Sequence, residues 1–430
     1  MSAGTAMLAL EQTPPLAVPA RFFVTAPLFA FAAVVVAAYA GPDLLVSRWQ
    51  PQLLAATHLL TLGCIAMVMC GAMFQLLPVL AGVQMVRGVT TSTLVHLLLS
   101  SGTLALAIGF AGSYPGAFVA AFVLLAAALL LFISIIMVAL ARAKSLHDTV
   151  WAMRVALAAL LITLLFGLWL TAGHAGWLPL PRQLTDLHLV WGLLGWVGVL
   201  LAGVAYQVVP MFQITAEYPR RLRRILAWGV ALLLGLWSGL HEAGAPARVA
   251  GSGLAILFVA FAAVTLHLQR RRLRRLPDVT VSFWHIGMVA ILLAALLWLA
   301  TPWLPLRFQP AAAVVWGELV IVGAGVSVIS GMLYKIVPFL VWLHLNNRLQ
   351  ASGQWQGRIP NMRQVIAERH ARWHLYLHLA GFALLIGASV VSPLLYYPAL
   401  LLLGGAFLLQ FANLLSALQL FRRVALEQEG

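Results

Sequence analysis

Apolar residues run along this chain in twelve long blocks, near 22–40, 52–78, 92–111, 116–140, 151–172, 186–210, 224–241, 249–267, 281–300, 312–340, 372–390 and 396–421. An α-helix needs about 20 mostly apolar residues to cross a bilayer, and each block comes close to that length. The pattern predicts an all-α, polytopic membrane protein of about twelve spans, read as a single membrane domain over 1–430. The first block, with Arg21 before it and Ala38, Tyr39 and Ala40 at its end, has a rival reading as a cleaved leader. Glu11 and the missing basic cluster upstream, together with the length of the run, favour a span.

Composition agrees with the pattern. Apolar residues make up 63% of the chain and charged ones 9%, against roughly 25% charged in a soluble domain. So few charges do not cover a water-facing surface, which excludes soluble enzymes. The net charge of +15 comes from arginine, since Lys144 and Lys335 are the only lysines. In a soluble chain that excess would suggest nucleic acid. Here the arginines alternate between connections. Those after even-numbered spans hold Arg87, then Arg142 with Lys144, then Arg220, Arg221, Arg223 and Arg224, then Arg270, Arg271, Arg272, Arg274 and Arg275, and last Arg348, Arg358, Arg363, Arg369 and Arg372. Those after odd-numbered spans hold only Arg48, Arg182, Arg248 and Arg307. Basic connections stay in the cytoplasm, so both termini are expected inside a bacterial-type inner membrane. The lipid bilayer is the expected partner, and nucleic acid is not. Cys64 and Cys70, six residues apart on one helix, point to different sides about 9 Å apart and form no disulfide.

Self-similarity is the strongest internal signal. Gly63, Gly71, Phe74, Gln75 and Pro78 in the second span share their spacing with Gly195, Gly203, Tyr206, Gln207 and Pro210 in the sixth. Gly323, Gly331, Tyr334, Lys335 and Pro338 repeat it in the tenth. Each copy lies four spans from the next, which predicts three pseudosymmetric four-helix units near 22–140, 151–267 and 281–421. Glycine alone is weak evidence, because small residues are common where membrane helices pack. Five matched positions in three helices carry the inference.

Twelve spans in three arcs of four, with spans 2, 6 and 10 equivalent, resemble subunit I of the haem-copper oxidases and nitric oxide reductases. In that family the second helix supplies a histidine to a low-spin haem near the outer surface, and His58 matches that position. The resemblance implies haem as cofactor, copper or another divalent metal beside it, and other membrane redox subunits as partners. The chain departs from the family at its other ligands. The tenth span holds no histidine, and Glu318 occupies the place equivalent to His58. His188 opens the sixth span, and a single His241 followed by Glu242 stands where the seventh helix of the family carries a His-His pair. A complete oxygen-reducing centre is therefore not expected. A looser likeness is to the twelve-helix NnrS proteins of nitric oxide stress, whose His-rich stretch is absent here.

Ionisable residues inside spans are costly, and functional by default. The expected cofactor-binding residues are His58, His188 and Glu318, and the expected metal ligands are His58, His188 and His241. Two imidazoles and a carboxylate meeting at one centre would suit a divalent metal. Lys335, Tyr206 and Tyr334 are the proton-route candidates, with snorkelling to the interface as the bland reading of Lys335. His370, His374 and His378 form an i, i+4 stripe read as an interfacial polar face. Trp49, Trp177, Trp303, Trp342 and Trp373 suit an aromatic belt. Competing functions are a membrane transporter, whose repeats are more often twofold, and a metal-handling or assembly factor that keeps the fold without catalysis.

Overall fold

The computed structural model describes residues 13–81, 88–143, 148–274, 276–352 and 359–426. Arg87, Lys144, His147, Arg275 and Arg358 lie outside them. Among the described residues there is no strand, and twelve helices are long and apolar enough to cross a membrane. They are α1 (Ala17–Ala40), α2 (Pro51–Val79), α3 (Gly88–Gly112), α4 (Pro115–Ala141), α5 (Asp148–His174), α6 (Gln183–Gln213), α7 (Arg220–Gly239), α8 (Ala245–Arg270), α9 (Val279–Trp303), α10 (Leu306–Arg348), α11 (Glu368–Val390) and α12 (Pro393–Leu426). The chain is an all-α multi-pass membrane protein. Eleven predicted blocks fall within their helices. The seventh overruns by two residues, because α7 ends at Gly239 and Leu240 leaves helical geometry.

Apolar side chains such as Leu97, Leu232, Val249 and Leu401 point outward, as a lipid-facing surface requires. Trp177, Trp303 and Trp373 are exposed near helix ends. One packing scheme occurs three times. The first helix of each unit packs on the second (α1 on α2, α5 on α6, α9 on α10), and the third packs on the fourth (α3 on α4, α7 on α8, α11 on α12). Successive units join through α4 with α5 and α8 with α9, and α12 closes the ring on α1.

The repeated glycines explain the first of these contacts. Gly63 and Gly71 face Phe29 and Phe22 of α1, Gly195 and Gly203 face Ala159 and Ala152 of α5, and Gly323 and Gly331 face Ala290 and Phe283 of α9. A β-carbon at any of the six would collide with its neighbour. In lipid, helices associate through close packing rather than through burial from water, so these positions hold each unit together.

The repeat also marks the backbone. Leu59–Ala66 in α2, Trp191–Gly198 in α6 and Leu319–Val326 in α10 are π-helical. Each segment starts four residues before the first glycine of the motif. π-helical turns are rare and gather at functional sites. The segments of α2 and α6 both approach that of α10. His58 and Glu318 each stand immediately before a π segment.

Candidate functional site

His58 sits half-buried where the first α-helical turns of α2 give way to its π segment. Its Nδ1 lies 2.7 Å from the carbonyl of Leu54, one turn earlier on the same helix. A carbonyl only accepts, so Nδ1 carries the hydrogen and Nε2 keeps its lone pair. His188 of α6 has the same arrangement, with the accepting carbonyl on another helix: its Nδ1 lies 3.0 Å from Thr163 O of α5. Gly167, one turn further along α5, makes room for the ring, since a β-carbon there would come within 2.9 Å of His188 Cε1.

The two imidazoles are neighbours. Their ring centroids are 6.2 Å apart and their planes differ by 26°. Phe110 of α3 lies parallel to His58 at 5.4 Å and separates it from His174, which stacks on Phe118 of α4 at 4.9 Å. The result is a cluster of packed aromatic rings at the end of the bundle away from the arginine clusters. Neither Nε2 has a hydrogen-bond partner among the described residues. A backbone carbonyl behind Nδ1 is the usual support of a metal-bound histidine, because it fixes the tautomer and raises the basicity of Nε2.

Charged groups lie just outside. Arg48 Nη1 is 2.6 Å from Asp186 Oδ1, and Asp186 is two residues before His188. The guanidinium groups of Arg48 and Arg182 both lie over Trp49, at 4.6 and 5.6 Å.

The other expected ligands go elsewhere. Glu318 is 8% exposed, and its Oε1 accepts a hydrogen bond from Ser389 of α11 at 2.7 Å. Its partner is in the third unit, although its repeat position matches that of His58. His241 packs at a tilt against Trp237 at 4.5 Å and lies 3.7 Å from Asp186 Oδ2, which puts it in the Arg48 network. Among the described residues no three histidine, cysteine, aspartate or glutamate side chains converge as a metal site, so the structure brings together two of the expected ligands. Cys64 and Cys70 are buried free thiols.

The proton-route candidates do not form one group either. Lys335 Nζ pairs with Asp278 Oδ2 at 2.7 Å, where Asp278 also caps α9 by accepting from Thr280 N. Tyr206 packs on Tyr218 at 5.3 Å, and its hydroxyl has no partner among the described residues. Tyr218, in the connection before α7, donates to Thr265 Oγ1, which itself donates to Phe261 O. Burial pushes the Tyr218 phenol above its ordinary pKa. Tyr334, by contrast, meets a histidine.

That histidine corrects the reading of the α11 stripe. His370 is exposed at the helix start, whereas His374 and His378 have no exposure at all. They turn inward because hydroxyl partners wait there: the Tyr334 hydroxyl lies 3.0 Å from His374 Nδ1 and Ser327 Oγ lies 2.7 Å from His378 Nε2. Phe283 of α9 packs on both rings. The missed signal was the company these histidines keep, since Ser327, Gln410 and Asn413 also interrupt apolar spans. No protein-family model matches the sequence, and no curated protein matches it either.

Proposed function

We propose that the chain is a haem-binding redox protein of the membrane, in which His58 and His188 would hold the haem, with no complete haem-copper centre. The observation that carries the reading is the paired imidazoles, each with Nδ1 on a backbone carbonyl, from two different helices and 6.2 Å apart. The donor set supports haem over a bare ion. Structural zinc takes four protein ligands and catalytic zinc three, whereas haem brings four nitrogens of its own and asks at most two of the protein. Bound haem would supply one-electron exchange or the binding of a small gas.

The chain's own groups have separable tasks. Leu54 O and Thr163 O hold the two rings in the tautomer that presents Nε2. Phe110 and Phe118 make the surroundings apolar, which favours a hydrophobic macrocycle over water. Arg48 and Arg182 lie at the same end, where the carboxylates of such a group would need cations.

The threefold ring of four-helix units supports likeness to subunit I of the haem-copper oxidases, with α2, α6 and α10 as its inner helices. In the living cell we place the protein in a bacterial cytoplasmic membrane with both ends inside, on the arginine distribution. The test is the visible spectrum of the protein purified from haem-replete cells. A Soret band in stoichiometric yield is expected. Protein that stays colourless after haem is added removes the proposal and returns transport or assembly to first place.

A further inference from the structure

At the arginine-rich end of the second unit, the starts of α5 and α7 leave a cavity between them. It holds about 340 Å3 and is lined by Asp148 and Trp151 of α5 and by Arg223, Arg224, Ala227 and Trp228 of α7. The two indoles lie 5.5 Å apart at a tilt of 49°, and Trp228 is exposed. The Arg154 guanidinium lies 4.8 Å over the Trp151 ring and donates to Leu140 O of α4 at 2.7 Å, so Trp151 is held in place from α5 itself.

The charges around the cavity do not balance. Arg223 takes both nearby carboxylates, with Nε 3.3 Å from Asp148 Oδ2 and Nη1 3.3 Å from Glu217 Oε2. The first contact is an ion pair without hydrogen-bond geometry, so the buried Nε hydrogen has no acceptor among the described residues. Arg220, Arg221 and Arg224 are exposed and have no carboxylate partner among those residues. All four arginines open α7, where a helix presents unpaired N–H groups and the positive end of its dipole. Pro219 supplies no side-chain cap, and the first turn holds no acidic residue. Cations at that end oppose the helix that carries them. The positive-inside rule asks only that they lie on this side of the membrane, and it does not require a cavity beside them. A negative ligand in the cavity relieves the opposition, and guanidinium forks suit phosphate oxygens.

Toward the middle of the membrane the surface turns apolar. Ile225, Trp228, Leu232 and Leu236 are exposed on α7, and at about 100° per residue they share one face with Arg221. A ligand in the cavity therefore meets guanidinium groups first and then a hydrocarbon track that begins at Trp228. We infer that this cavity binds the phosphate of an anionic phospholipid. Arg224 and the Arg223 Nε hydrogen take the phosphate, Trp151 and Trp228 lie at the glycerol level, and an acyl chain follows the α7 stripe. Asp148 is a positioning residue, which holds Arg223 at the cavity wall while its own charge is met. Basic pockets between spans on the cytoplasmic side suit such headgroups. Free phosphate shares the headgroup chemistry, but only a lipid uses the stripe. The site does not depend on haem at His58.

The test is native mass spectrometry of the full-length protein, stripped of lipid in detergent and titrated with phosphatidylglycerol, phosphatidylcholine or inorganic phosphate. One phosphatidylglycerol per chain should be retained in preference to phosphatidylcholine, and inorganic phosphate should not be retained. A basic residue beside an anionic headgroup contributes about fivefold in affinity, so Arg224→Gln should weaken retention by about that factor. Trp228→Ala, which serves also if Arg224→Gln fails to fold, should weaken it as well. Arg271→Gln combined with Arg274→Gln removes two exposed cations from the connection after α8 and should leave retention unchanged. The site is overturned by equal retention of phosphatidylcholine, by wild-type retention in Arg224→Gln or Trp228→Ala, or by stoichiometric inorganic phosphate in place of lipid. An equal loss in the Arg271 and Arg274 pair overturns it too, because bulk charge would then account for the binding.

Discussion

Two pairs of histidines, one at each half of the bundle, have been prepared for different chemistry by their partners. His58 and His188 come from separate helices, and each gives its Nδ1 hydrogen to a backbone carbonyl. Both therefore present the same thing, an Nε2 lone pair. His374 and His378 come from consecutive turns of one helix and bind side-chain hydroxyls. Those hydroxyls have directions of their own, since Asn413 Nδ2 donates to Tyr334 and Ser327 Oγ donates to Val322 O, so one ring presents a hydrogen and the other a lone pair. Like ends suit one Lewis acid, whereas unlike ends suit a guest that both accepts and donates a hydrogen bond. The imidazole is the same in all four places, and the atom behind it decides its use.

The comparison breaks most completely at the outer pair. His58→Ala and His188→Ala should each reduce bound haem below about a tenth of the wild-type level, read as Soret absorbance per protein, while helicity by circular dichroism is unchanged. Twelve apolar spans and their glycine contacts do not depend on one ring. His374→Ala should leave the Soret band in place. Loss of the band on His374→Ala but not on His58→Ala would reverse the two assignments. Gly167→Ala is the milder form of this experiment. Its new methyl would displace the His188 ring, and disturbing the support of a ligand typically costs about 10–100-fold in affinity. Haem titration should show a loss of that size.

The inner pair should respond in stability. Ser327→Ala leaves the His378 Nε2 hydrogen without its acceptor in a buried setting, a change worth about 1–3 kcal/mol. Unfolding in detergent–denaturant mixtures should register a loss in that range, with the haem spectrum unmoved. An unchanged stability would mean that a water or another group already replaces the hydroxyl, and the bond to Ser327 would not orient His378.

Much of this was legible beforehand because it is periodic. Spans are readable from runs of apolar residues, and the three units are readable because Gly63, Gly195 and Gly323 recur with their companions at fixed spacing. The packing that those glycines permit follows from their lack of a side chain. His58 was readable as a polar residue inside a span. What spacing does not encode is which neighbour a side chain meets across the bundle. Glu318 and His58 share a repeat position, yet Glu318 faces Ser389 while His58 faces His188. That partner sits two residues off the equivalent place, and only the packing of α6 on α5 brings its ring across. His374 and His378 looked like an interfacial stripe because arginines flank them on the sequence. Tyr334 and Ser327 draw them inward, and both belong to another helix.

Glu318 gives the smallest expected effect and the finest test of the comparison, because its place before a π segment matches His58 while its partner matches the hydroxyl chemistry of the inner pair. If partners decide function, Glu318 behaves as a structural acceptor. Its Oε1 takes the Ser389 hydrogen at 2.7 Å, and an amide oxygen in Glu318→Gln accepts the same bond. The second oxygen has no partner among the described residues, so replacing it by an NH2 group exchanges one unsatisfied buried atom for another. A change within about 1 kcal/mol in unfolding free energy follows, since a neutral hydrogen bond contributes roughly 0.5–1.5 kcal/mol and is kept. Glu318→Ala removes the acceptor as well and should cost about 1–3 kcal/mol through the stranded Ser389 hydroxyl. Neither variant should shift the Soret maximum. If Glu318→Gln does shift it, the carboxylate reaches the haem after all, and repeat position rather than local partner is what assigns ligands in this fold.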